Sequence, residues 1–102
     1  MKQQMYRQGD VLLIPVKMPK GATAVESKDR IILAYGEATG HHHSLKATVG
    51  SLFEREQKRY LRMDVDAPLE HQEHGAILIP RGTYQVVIQR EYSSEAIRNV
   101  QD

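Results

Sequence analysis

Apolar residues in this chain fall into short runs broken by glycine, proline and charged stretches, a spacing that predicts strands rather than helices. Residues 11–16, Val-Leu-Leu-Ile-Pro-Val, are apolar on both faces, follow a Gly9-Asp10 turn and end before Pro19-Lys20-Gly21. So short a run between breakers predicts a buried strand. Residues 31–35 predict a second strand, stopped by Gly36, and residues 41–47 a third that begins at the histidines. Residues 52–65 fit two patterns. Leu52, Phe53, Glu56, Tyr60 and Leu61 could line a helix, whereas Leu61, Met63 and Val65 alternate with Tyr60, Arg62 and Asp64. A hairpin turning near Gln57-Lys58 is the expectation. Residues 76–79 lead through Pro80-Arg81-Gly82-Thr83 into the clearest strand, where Tyr84, Val86 and Ile88 alternate with Gln85, Val87 and Gln89. Ser93 or Ser94 can then cap a short C-terminal helix, with Glu95 at its positive end. The pattern predicts one all-β domain over residues 1–102, of about seven strands, folded as a small antiparallel barrel or sandwich.

Composition narrows the class. The 102 residues are 40% hydrophobic and 26% charged, with a net charge of +1. That suits one globular domain and argues against a general nucleic-acid coat, which needs a large excess of cations. Lys58, Arg59 and Arg62 cluster, but Glu54 and Glu56 stand beside them, as on a solvated mixed-charge hairpin. Cysteine is absent, so disulfides, thiolate metal sites and cysteine nucleophiles are excluded together. No apolar run could span a bilayer and the first residues lack the apolar segment of a signal peptide, so a cytoplasmic protein with no membrane partner is expected.

The candidate chemistry lies in the histidines. His41, His42 and His43 are consecutive, His71 and His74 flank Gln72-Glu73, and these five are all the histidines in the chain. On a strand, His41 and His43 point to one side and His42 to the other, so one strand can supply two neighbouring ligands. His71 and His74, three apart, suit a turn. The expectation is that folding brings the two groups together, with His41, His43, His71 and His74 as ligands to a divalent metal: zinc, iron, manganese or nickel. Glu37, Glu70 or Glu73 could add a carboxylate. Without a metal, the same imidazoles could serve as acid and base in phosphodiester or nucleotide cleavage, with Arg90, Arg81 or Lys46 holding the phosphate. Phosphate-binding loops, dinucleotide fingerprints and nucleophile elbows are absent from the sequence.

Gly36 followed by His41-x-His43, and Gly75 followed by Pro80-x-Gly82, resemble a degenerate form of the two cupin motifs over residues 36–85. The resemblance implies a small antiparallel barrel and carries over only His41 and His43 as ligands. The chain departs from the pattern elsewhere. Both glycine spacings are one residue short, Ala47 and Thr48 stand where a ligand glutamate belongs, and Gln85 occupies the place of the last histidine. The expected function is a small-ligand-binding protein with a histidine-lined pocket. Glu37, Thr39, Gln85 and Arg90 are its ligand-binding candidates, and a small anionic molecule or nucleotide its partner. A metal-dependent or acid/base enzyme, and a non-enzymatic oligomeric module such as a homodimer that sequesters a nucleotide or binds a protein, are the alternatives.

Overall fold

The computed structural model describes residues 4–35 and 40–89. The expected C-terminal helix, and with it Arg90, lies outside the described residues, as do Glu37 and Thr39.

The described chain is all-β. Ten strands run β1 Tyr6–Gln8, β2 Val11–Pro15, β3 Thr23–Val25, β4 Arg30–Tyr35, β5 His42–Lys46, β6 Gly50–Arg55, β7 Lys58–Met63, β8 Ala67–Leu69, β9 Ile77–Ile79 and β10 Gly82–Ile88. A single 3-10 turn, Ala47–Val49, separates β5 from β6. Residues 52–65 form the expected hairpin rather than a helix. Its turn is Glu56-Gln57, one residue earlier than the sequence suggested, and Arg55 pairs with Lys58 across it.

Six strands make one antiparallel sheet in the order β1-β2-β10-β7-β6-β3, while β4-β5 and β8-β9 are two-stranded. Ser44 of β5 and Glu70, just after β8, form an antiparallel bridge that links the two small hairpins. No closed barrel forms among the described residues, because the large sheet ends at β1 and β3 instead of joining itself. One core serves every sheet. Val11 and Leu13 of β2, Leu61 and Met63 of β7, and Tyr84 and Val86 of β10 meet Ile31 and Leu33 of β4, Leu45 of β5, Leu69 of β8 and Ile79 of β9. The alternation read in the sequence thus fixes which face of each strand is buried.

Two local features shape the region around the histidines. Register shifts in the β4-β5 pair between Ile32 and Ala34, leaving Leu33 as an extra, bulged residue opposite His43 and Ser44. Arg59 of β7 donates from Nη2 to the Leu33 carbonyl, so the bulge is tied to the large sheet. The β1-β2 turn places Gly9 at φ +56°, the left-handed region that glycine enters without steric cost. No helix among the described residues is long and apolar enough to cross a membrane.

Candidate functional site

The Ser44–Glu70 bridge brings the two histidine groups together. Ser44 N donates to Glu70 O at 2.9 Å and Glu70 N to Ser44 O at 2.8 Å. In an antiparallel pair, the residue before one partner faces the residue after the other. His43 therefore meets His71, with ring centroids 4.3 Å apart. The same register sets His42 against Gln72, whose Oε1 accepts the His42 backbone N–H at 2.8 Å, and His41 against Glu73, with Nδ1 3.6 Å from Oε2. His74 returns from the bend at residues 72–74 to lie 4.6 Å from His71 and 5.7 Å from His43. His41 closes the group at 5.7 Å from His71. The four expected ligands thus form one cluster, graded from buried His43 to exposed His74.

Gly9 is the floor of this cluster. A Cβ there would lie 2.7 Å from His74 Nε2 and 3.1 Å from His43 Cε1, so only a residue without one lets both rings settle.

Hydrogen bonds fix two of the rings. Gln8, buried at 3% exposure, donates from Nε2 to the carbonyls of Leu69 at 2.8 Å and Gly75 at 2.9 Å. Its Oε1 must then be the atom 2.9 Å from His43 Nδ1, and since a carbonyl oxygen can only accept, Nδ1 carries the proton. The lone pair of neutral His43 therefore resides on Nε2. His71 is set the opposite way. Its Nδ1 accepts from the backbone N–H groups of Glu73 at 3.0 Å and His74 at 3.2 Å, so its proton sits on Nε2. Burial, and then the neighbouring His74 and His41, hold the His71 pKa below the ordinary imidazole value, with Glu73 opposing them.

As they stand, these groups do not converge on a point. Among the described residues, no set of three or more His, Asp or Glu side chains is disposed to hold a metal ion. The spacing of the ring centroids is not itself the obstacle. A metal about 2 Å from each of two imidazole nitrogens puts the ring centroids about 5 Å apart, close to the separations seen. The rings of His43 and His74 lie nearly parallel, at an interplanar angle of 19°.

Gln85 does not join the histidines. It pairs with Ile14 and Tyr60 within the large sheet, on the opposite face from buried Tyr84 and Val86, and lines a separate concavity with Glu54, Lys58 and Arg59. Beside the cluster lies a different group that sequence reading did not assemble: a cavity of about 360 Å³ lined by Arg30, His42, Ser44, Glu70, His71 and Gln72. Gln8 was also missed. Its one sequence signal is position, for across the Gly9-Asp10 turn it mirrors core residue Val11.

A family model described as a domain of unknown function (DUF8820) matches residues 7–89, from β1 through β10. The chain belongs to that family. The match takes in Gln8 and all five histidines. No curated protein and no solved structure matches the chain.

Proposed function

We propose that this is a cytoplasmic small-ligand-binding protein whose pocket is built on the histidine cluster, with a divalent metal held by His41, His43 and His74. One observation carries the reading: Gln8 holds His43 Nδ1–H and so leaves the lone pair on Nε2. A buried imidazole oriented by a fixed acceptor on its other nitrogen is the usual arrangement behind a metal-ligating histidine. His71 is a poorer ligand than the sequence suggested, because binding through Nδ1 would forfeit two backbone hydrogen bonds and binding through Nε2 would require moving its proton. Exposed His74 has room to turn its ring out of the stack. An imidazole-rich donor set favours zinc, nickel or iron over manganese.

The test uses untagged protein stripped with chelator and dialysed against zinc, nickel, iron(II) and manganese, with bound metal measured by mass spectrometry. The wild-type chain should retain about one equivalent of zinc or nickel. His43→Ala and His74→Ala should lose it, and His71→Ala should keep it. No uptake by the wild type, or loss in His71→Ala alone, overturns the proposal.

The close approach of His43 and His71, ring centroids 4.3 Å apart, favours a second reading, a metal-independent acid/base enzyme acting on a phosphodiester or nucleotide. Neutral His43 would accept a proton at Nε2 and His71, in its imidazolium form, would donate one from Nε2; its lowered pKa confines that form to acid pH. Chelator-treated protein should then cleave a nucleotide phosphodiester, and both His43→Ala and His71→Ala should abolish cleavage.

A further inference from the structure

The geometry points to the cavity beside the histidines as a subsite for the carboxylate of a small organic acid. This rests on the reading of the cluster as the ligand pocket.

Arg30 is the anchor. Its Nε donates to Ser44 Oγ at 2.7 Å, and its Nη2 to the Ser44 carbonyl at 3.3 Å and to Glu70 Oε1 at 2.5 Å. One edge of the guanidinium is thereby clamped to a serine that is 1% exposed, while Nη1 has no partner among the described residues. A planar donor fixed along one edge presents the rest of its N–H groups at a set angle, which is how arginine recognises carboxylates.

His42 lines the same wall, held there by Gln72. Gln72 Oε1 accepts the His42 backbone N–H, so the amide atom 3.4 Å from His42 Nε2 is Gln72 Nε2, which can only donate. The proton of neutral His42 then belongs on Nδ1, and that atom is buried with no hydrogen-bond partner. His71 lines the cavity and also touches the other cluster rings, and its protonated Nε2 makes it a donor where the two meet.

Charge and size select the ligand. Glu70 already balances Arg30, so the lining is donor-rich but close to neutral, and a phosphate dianion gains little over a singly charged carboxylate. The volume of about 360 Å³ lies near the lower end for small-molecule sites, which suits an organic acid of a few heavy atoms rather than a nucleotide. Its carboxylate sits against Arg30, and its other end reaches past His71 to the cluster.

The experiment is an NMR titration of the ¹⁵N-labelled full chain, chelator-stripped and zinc-loaded, with acetate, succinate, inorganic phosphate and chloride at matched ionic strength. Acetate and succinate should give saturable shifts at the amides of His42, Ser44, Glu70, His71 and Gln72, with phosphate weaker. Arg30→Lys, which keeps the charge beside Glu70 but lacks Nη1, should weaken carboxylate binding about tenfold with zinc uptake unchanged. Gln72→Leu, at an exposed position, should weaken it too if Arg30→Lys fails to fold. Shifts equalled by chloride, tighter binding of phosphate, or an Arg30→Lys protein that binds like the wild type overturn the inference. Carboxylate binding by stripped protein that takes up no metal upholds this subsite and sinks the metal. Zinc uptake without carboxylate shifts does the reverse.

Discussion

Replacing Gln8 with leucine should be among the most damaging single changes in this protein. Leucine fills similar space but removes an acceptor and a donor that serve three groups. Two of them, the His43 Nδ1–H and the carbonyl of fully buried Leu69, would stay desolvated. Each such orphan costs about 1–3 kcal/mol, whereas the Gly75 carbonyl lies in an exposed stretch and can rehydrate. Extra apolar burial by leucine returns about 1 kcal/mol, leaving a net loss of about 3 kcal/mol. That is a large share of the 5–15 kcal/mol or so typical of a domain, and it corresponds to a fall in Tm of about 15 °C. Urea denaturation followed by circular dichroism reads the loss as a lower midpoint with an unchanged slope. Histidine-ring ¹⁵N spectra of the wild type should place the proton of neutral His43 on Nδ1. A loss of less than about 1 kcal/mol, or a wild-type His43 protonated on Nε2, would refute the reasoning.

Three further outcomes follow from the geometry. Since the folded state holds the His71 pKa below its unfolded value, the unfolded chain binds the proton more readily; stability should be intact above about pH 6.5 and decline as pH falls through the folded pKa. Thermal melts across that range should show the decline, and His71→Asn should flatten it. Glu56 and Gln57 both hold positive φ, at 52° and 70°, in a two-residue hairpin turn that prefers Asn-Gly; the double change Glu56→Asn, Gln57→Gly should add about 1 kcal/mol, measured by the urea midpoint. A Cβ at Gly50 would collide with the Arg62 backbone carbonyl across the β6-β7 pair, so Gly50→Ala should cost about 2 kcal/mol or more, seen as a lowered Tm.

The parts of the fold legible in the sequence are those written in alternation. Val11 and Leu13, Leu61 and Met63, and Tyr84 and Val86 all face the core, as a two-residue period requires. The three-residue strands β1, β3, β8 and β9 carry too few positions to show a period, which is why about seven strands were expected where the described residues form ten. That no closed barrel forms among the described residues has a different reason: closure depends on how the ends of a sheet meet, which a two-residue period does not encode. At the site, the meeting of His43 with His71 was legible only as a coincidence of residue type. What produces it is one bridge, Ser44 to Glu70, between polar residues that no periodicity singles out. Gln8 and Arg30 matter through partners 61 and 14 residues away.

Strand β10 follows the other nine in the chain, yet it pairs on one side with β2 and on the other with β7. Until it arrives, the large sheet exists only as two unjoined halves, each with a bare row of backbone donors and acceptors along the inner margin. A translating ribosome must therefore release nearly the entire domain before its middle can knit together. Any cut that removes residues 82–88 would leave one chain with two unjoined, sticky sheet portions in place of a trimmed version of the same molecule.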